Sequence, residues 1–320
     1  MNDILIVDGL NVFMRHFAAN PATNENGDHV GGVVGFLRGL HHLVDLITPK
    51  EVFVIWEGGG SARRRSIDST YKNNRRPIRL NRWYDNSDMP STVQNRNYQI
   101  NLIIEFLRKA PIKQVYVSDC EADDVIGYLS KYSYHDENIA IVSSDKDYYQ
   151  LVCDRIKIWS PGQKKFIDSA AVLHKFGISA NNFCVARCFC GDSSDGISGA
   201  KGVGFRSLAK RFPELKLVES QSVDEIVNSA VKKQKNSKLK IYESIIEYAE
   251  IARRNWRLMY LGTNNLSASQ VQQILFQSEE PRGTSDKLGF MRLLARHQIN
   301  NFDVNTYYMS LNSIQHQSPS

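Results

Sequence analysis

Cysteine is scarce in this 320-residue chain: five are present, an odd number without a paired framework, which argues against a disulfide scaffold and fits a reducing compartment. Three of them, Cys184, Cys188 and Cys190, fall in CVARCFC. Their spacing is not that of a zinc ribbon or finger and no histidine lies nearby, so they read as small apolar groups on a helix. No segment stays apolar long enough to span a bilayer. The opening MNDILIVDGLNVF carries an acid where a secretory leader would be basic, and Asp8 and Asn11 break its apolar run. These absences lead to the expectation of a cytoplasmic globular protein with no membrane association. A large charge excess is missing too, since 40 Lys and Arg stand against 34 Asp and Glu. The placement of charge therefore matters more than its total.

What is present begins with four short β-branched or aromatic runs: ILIV (4–7), VFVIW (52–56), VYV (115–117) and IAIV (139–142). Helical patterns at 33–47 and 92–110 lie between them, an alternation that predicts an α/β fold with a mostly parallel central sheet flanked by helices. IKIW (156–159) reads as an added edge strand. Past residue 168 helical patterns take over at 170–176, 181–190 and 206–212, followed by one long amphipathic helix over 239–261 and a polar, loosely ordered tail after about residue 303. Two units are expected, a core over 1–168 and a helical region over 169–320.

Each apolar run ends in acid. Asp8 follows the first and Glu57 the second; VSDCEADDVIG brings Asp119, Glu121, Asp123 and Asp124 after the third, and SSDKD brings Asp145 and Asp147 after the fourth. Any one of these could be a helix cap. Parallel sheets, however, bind ligands at the carboxyl ends of their strands, so acids after every strand are expected to share one rim. Between Ser61 and Arg82, eight cations (Arg63, Arg64, Arg65, Lys72, Arg75, Arg76, Arg79, Arg82) face a single acid, Asp68, with Tyr71, Trp83 and Tyr84 interleaved. A charge run is commonly a solvated face, but aromatics among cations also suit phosphate contact and base stacking. The lysine-rich VKKQKNSKLK (231–240) has no aromatics and reads as a linker or a backbone-tracking patch. Asp192 and Asp195 precede the glycine-rich GISGAKGVG, which lacks the strand and the G-K-[ST] of a Walker loop but can turn backbone N–H groups toward a phosphate.

Oxygen-only ligands in this number select hard cations such as Mg²⁺ or Mn²⁺, and two such ions can clamp both oxygens of a phosphoryl displacement. An acidic rim, a cationic strap and a backbone-reading turn together describe a metal-dependent nuclease that grips structure rather than sequence.

These residues resemble the flap endonuclease or 5′-nuclease family through D-G-L-N (8–11), G-F-L-R-G-L (35–40), Y-K-N-N-R (71–75), E-A-D-D (121–124), S-S-D-K-D-Y-Y-Q-L (143–151) and G-D-S-S-D-G-I-S-G-A-K-G-V-G (191–204), in the family's order. W-S-P-G-Q-K-K-F (159–166) and E-P-R-G (280–283) look more like the T-even bacteriophage ribonuclease H branch of that family, which removes RNA primers. The resemblance implies a resolvase- or PIN-like core, a helical arch over about 58–92 and a helix-three-turn-helix over about 181–212 that binds duplex DNA, often with K⁺. It implies 5′–3′ exonuclease and flap endonuclease activity on DNA or RNA–DNA duplexes with two Mg²⁺, for which Mn²⁺ can substitute. Asp8, Glu57, Glu121, Asp123, Asp124 and Asp145 would build a first metal site, and Asp147, Asp192 and Asp195 a second. Lys72 and Arg75, three apart and so on one face if their segment is helical, would meet the scissile phosphate. Arg63, Arg64, Arg65, Tyr71, Gly199, Lys201, Gly202 and Gly204 would contact nucleic acid. Glu57 stands where the family usually has Asp. A monomer working with a single-strand-binding protein or a sliding clamp completes the expectation. A PIN-type ribonuclease shares the rim but not the glycine turn; a non-catalytic DNA-binding module needs the turn but not nine carboxylates (Asp8, Glu57, Glu121, Asp123, Asp124, Asp145, Asp147, Asp192, Asp195). A phospho-transfer receiver explains an acidic pocket but not the arch.

Overall fold

The β-branched runs form strands β1 (Ile4–Asp8), β2 (Glu51–Trp56), β3 (Lys113–Tyr116), β4 (Ile139–Val142) and β5 (Ile156–Ser160), joined by a short β6 (Lys165–Ile167) that the sequence pattern does not reveal. In this computed structural model, which describes residues 3–72, 92–280, 283, 285–300 and 302–315, the strands make one sheet in the order β3-β2-β1-β4-β5-β6. Neighbours run parallel except for β5 and β6. Strand order therefore reverses direction at β1, and the cleft outside the carboxyl ends of β1 and β4 is the place where such sheets bind ligands.

Alternate strand residues feed two cores, as the two-residue period of a strand requires. Leu5, Val7, Val52, Val54 and Ala140 face one side, where they meet α1 (Gly9–Ala19), α2 (Gly31–Ile47) and α4 (Thr92–Leu107). A six-residue helix, α3 (Ala62–Ile67), leads from β2 toward the segment whose residues 73–91 lie outside the described ones. Ile4, Ile6, Phe53, Ile55 and Ile141 face the other side, against α5 (Ala122–Tyr128), α6 (Ser169–Phe176) and Phe183 at the start of α7 (Phe183–Cys190). A third core joins α7 to α8 (Phe205–Arg211), α9 (Val223–Gln234), α10 (Lys240–Glu247) and α11 (Ala249–Met259), with Cys184 and Cys188 packed as buried thiols.

Two expectations need correction. The single helix over 239–261 is two, α10 and α11, because Tyr248 leaves helical geometry (φ −86°, ψ 1°) and its hydroxyl donates to the Ser198 carbonyl at 2.6 Å. Residues 303–315 of the tail are not loose, residues 316–320 lying outside the described ones: α14 (Val304–Gln315), capped by Asp303 accepting from the Thr306 N–H at 3.1 Å, buries Tyr307, Tyr308, Leu311 and Ile314. The spacing of these four is one helical face that the polar residues between them disguise. They share the α2 core with Phe290 and Leu293 of α13 (Lys287–Arg296). Alongside, α12 (Ala268–Glu279) covers the sheet edge, where the Gln277 amide accepts from the Tyr116 N–H and donates to its carbonyl, both at 2.8 Å. So the helical half of the chain returns to close the sheet. Among the described residues no helix is long and apolar enough to cross a membrane.

Leu311 is fully buried, and Leu311→Ala should lower stability by about 2–5 kcal/mol, read as an earlier midpoint in urea unfolding. An unchanged midpoint would place α14 outside the core.

Candidate active site and nucleic-acid interface

Each acid reaches the rim through a local device. Asp8 ends β1 and caps α1, its carboxylate accepting from the Asn11 N–H (3.1 Å), the Ser143 hydroxyl (3.2 Å) and the Tyr148 hydroxyl (3.0 Å). Glu57 follows β2 and accepts from the Ala122 N–H at 3.3 Å. Gly58 lets the ends of β2 and β3 meet: it donates to the Cys120 carbonyl at 3.0 Å and accepts from the Asp119 N–H at 2.8 Å. A Cβ there would sit 1.7 Å from the Val117 carbonyl oxygen, which only glycine avoids. Glu121 is the residue before α5, with Asp123 and Asp124 in that helix's first turn. Asp145 accepts from the Asp147 N–H at 2.9 Å in the loop after β4. The loop after α7 supplies Asp192 and Asp195, and Asp147, Asp192 and Asp195 offer carboxylate oxygens that all lie within 4.8 Å of one another.

Crowding shows in the protonation equilibria. Burial pushes Asp8 up to about 6, with Asp145 adding to the push. Glu57 rises to about 7 through burial and the charge of Glu121. Asp124, Asp145 and Asp147 are raised in the same direction by burial. Asp192 goes the other way: the effect of burial is outweighed by Arg187 and by Ser194, and its carboxyl is lowered. Among the described residues, three cations answer the rim. Arg187 bridges Asp147 (2.8 Å) and Asp192. The Lys72 ammonium lies 2.7 Å from Glu121, and Arg64 reaches Glu121, Asp123 and Asp124 at 2.8, 3.3 and 2.7 Å.

Several expected nucleic-acid contacts are placed differently. Arg64 is only 1% exposed, its guanidinium turned into the carboxylates and its Nε donating to the Leu258 carbonyl at 2.7 Å. It cannot reach a strand. Tyr71 is buried as well; its hydroxyl donates to Glu121 at 3.2 Å and its ring lies under the Lys72 ammonium, so no face is left for a base. Lys72 has a left-handed backbone (φ 62°) after a turn, which excludes it from the helical face on which it was paired with Arg75. Arg75 and most of the arch lie outside the described residues. Arg63 is half-buried and donates to the Arg257 carbonyl at 3.1 Å, whereas exposed Arg65 pairs with Asp119 at 3.2 Å. In the glycine turn, Lys201 and Gly202 are exposed and Gly204 caps the start of α8. Gly199 faces inward instead, since a Cβ there would meet the Cys190 carbonyl oxygen at 2.2 Å.

Sequence reasoning missed Arg187, buried among the apolar residues of α7, whose only signal is a lone cation in CVARCFC. It also missed Asn265, which donates to Asp124 at 2.8 Å, and Asn255, which donates to the carbonyls of Cys188 (2.9 Å) and Ser198 (3.0 Å) and so fixes both ends of the α7 turn. The same turn touches the strap, because the Lys72 N–H donates to the Asp195 carbonyl at 3.0 Å. The Asp147, Asp192 and Asp195 oxygens, with no nitrogen or sulfur donor among them, fit a hard divalent cation.

A sheet with a reversal point, an acidic rim and a glycine turn between α7 and α8 defines a nuclease of the resolvase-like class. The model of the 5′–3′ exonuclease N-terminal resolvase-like domain matches residues 3–177, and the chain belongs to the 5′–3′ exonuclease and flap endonuclease family. It is 31% identical over 214 residues to the flap endonuclease Xni of Shewanella sp. strain MR-4, covering 66% of this chain and 74% of that protein. To the Xni of Shewanella sp. strain W3-18-1 it is 28% identical over 268 residues, covering 82% and 91%. Among solved structures, a bacteriophage T5 flap endonuclease in a pseudo-enzyme-product complex with DNA and metal ions superposes with a TM-score of 0.65 at 19% identity, covering 87% of this chain and 99% of that one. At that identity the likeness speaks for the fold alone.

The raised carboxyls have a thermodynamic consequence. Asp8, Glu57, Asp124 and Asp147 bind protons more readily folded than unfolded, so between the ordinary carboxylate range near 4 and their raised values the folded state holds more protons. Stability must then fall as pH rises through that window. Chelator-treated protein should melt at a higher temperature at about pH 5.5 than at about pH 8, and added Mg²⁺ should recover more of the loss at the higher pH. A melting temperature that climbs with pH would show that the cluster is not charge-frustrated.

Proposed function

We propose that this protein is a divalent-cation-dependent nuclease that removes 5′ ends and cuts 5′ flaps, selecting structure rather than sequence. The observation that carries the reading is the cluster of Asp147, Asp192 and Asp195, whose oxygens lie within 4.8 Å of one another, where the Lys72 N–H also meets the Asp195 carbonyl at 3.0 Å. Asp147, Asp192 and Asp195 would hold one cation, and Asp8, Glu57, Glu121, Asp123 and Asp145 are placed to hold another. Bound there, Mg²⁺ or Mn²⁺ would supply the positive charge and in-line template that phosphodiester hydrolysis needs.

The chain's own residues do the rest. Lys72, inside the rim and left-handed, brings a side-chain cation to the scissile phosphate, where charge develops. Lys201 and Gly202, on the exposed surface of the turn, take duplex backbone without reading bases. Glu57, with its raised carboxyl, acts as a ligand rather than a cap. The T5 flap endonuclease that shares this fold is in complex with DNA and metal ions, in keeping with nucleic acid and divalent cation as ligands here. The T-even-like segments favour a phage setting, with primer removal from RNA–DNA duplexes beside a clamp or single-strand-binding protein. A monomer, with K⁺ in the turn, is the form this reading expects.

A 5′-labelled flap, a nicked duplex and an RNA–DNA hybrid should each be cut only with divalent cation, and undiminished cleavage in excess EDTA would overturn the proposal. Lys72→Ala should lower single-turnover rates by about two to three decades while leaving duplex affinity nearly intact. Lys201→Glu should do the reverse, weakening affinity and reducing its salt slope by about 1. Equal titrations of the Lys201 variant and the parent at two salt concentrations would remove the turn from the duplex interface.

A further inference from the structure

We infer that Arg64 is a resident counter-cation of the acidic rim, and that Asp124 serves as its partner rather than as a metal ligand. The inference rests on the reading of the rim as a divalent-cation centre. Two halves of the rim differ in how their oxygens converge. Asp147, Asp192 and Asp195 turn oxygens toward one another, all within 4.8 Å, with Arg187 bridging Asp147 at 2.8 Å and Asp192. Glu121, Asp123 and Asp124 instead turn oxygens toward one nitrogen, Nη1 of Arg64, at 2.8, 3.3 and 2.7 Å. A guanidinium holds the place that a cation would otherwise take.

Asp124 is the most fully committed of the three. Its Oδ2 accepts from Nη1 and its Oδ1 from Nη2 at 2.9 Å, the two-pronged pairing in which Arg and carboxylate are strongest. Oδ1 also accepts from Asn265 at 2.8 Å. Both oxygens are thus occupied in a site where side chains are 1% and 2% exposed. Arg64 cannot swing out, because its Nε is tied to the Leu258 carbonyl and its helix is capped by Ser61 accepting from its own N–H at 3.2 Å. A guanidinium is charged at every working pH. It therefore stabilises Glu121 and Asp123 whether or not divalent cation is present, and leaves Asp8, Glu57 and Asp145 as the acids of that half whose neutralisation depends on an ion.

A fixed positive charge beside a cation site lowers that site's affinity by Coulomb repulsion, and its loss leaves carboxylates for an added ion to neutralise. Arg64→Gln should therefore melt lower than the parent in chelator, and Mg²⁺ should raise its melting temperature by about twice the parent's shift or more. Calorimetric titration should show tighter Mg²⁺ binding in the same variant. Arg64→Lys, which keeps the charge but not the fork, should fall between. A packing role alone lowers melting equally with and without Mg²⁺, and that result, or weaker Mg²⁺ binding by Arg64→Gln, overturns the inference while leaving the cation centre standing. Should Arg64→Gln fail to fold in either buffer, Arg64→Lys decides by the same comparison. A parent whose melting and titration both ignore Mg²⁺ overturns the cation centre and the inference with it.

Discussion

Carboxylates that repel one another are held together at the carboxyl ends of four parallel strands, and the neighbouring structure is arranged around that repulsion. Asp8 and Asp145 sit beside one another after β1 and β4, while Glu57 sits beside Glu121 after β2 and β3. Burial disfavours each charge further, which is why the raised carboxyls are buried ones. Neutral donors offset part of it: the Asn11 N–H and the Ser143 and Tyr148 hydroxyls on Asp8, the Tyr71 hydroxyl on Glu121, the Asn265 amide on Asp124, backbone N–H groups on Glu57 and Asp145, and Ser194 on Asp192. Arg64, Lys72 and Arg187 then divide the remaining charge among them, each on a different subset of acids.

Most of the rim was legible because parallel strands impose it. A β-branched run followed within a few residues by acid, repeated four times, can have only one geometry once the strands lie side by side. What composition could not separate was the fate of three consecutive arginines. Arg63, Arg64 and Arg65 look alike in the sequence, yet α3 presents one to a carbonyl, one to the core and one to solvent, as the 100° step between successive helical residues requires. The Tyr71 ring was misjudged for a related reason, since an aromatic among cations reads as a stacking surface until its hydroxyl is seen on Glu121. The tail misled through its polarity: one buried face at 307, 308, 311 and 314 is diluted by Asn, Ser and Met on the others.

The helical half is bound to the chemistry through α11 and the residues after it. Leu258 supplies the carbonyl that fixes Arg64, Met259 accepts from Gln150, and Gln150 in turn donates to the Asp147 carbonyl and accepts from the Leu261 N–H. From the same helix Asn255 spans the two ends of the glycine turn through Cys188 and Ser198. One helix thus holds one of the cations that answer the rim, the loop that carries Asp147 and the turn that carries Asp195 and Lys201. Relative movement of the turn and the rim would have to break backbone-anchored hydrogen bonds in a buried setting, where an unmade bond is costly.

This rigidity bears on how the proposed structure-selective nuclease would work. The segment 68–72 is anchored at both sides of the cleft, by Arg254 on Asp68 at 3.2 Å and by the Lys72 N–H on the Asp195 carbonyl. Lys72 therefore enters the rim from a fixed point beside the turn, and a duplex seated on Lys201 and Gly202 would meet the acids at a distance set by the α7–α8 turn rather than by base contacts. Backbone contacts fix register without carrying sequence information. On the proposed function, selectivity for an end or a junction would follow from which phosphate that spacing delivers to the carboxylates, with the left-handed Lys72 as the described point nearest the rim.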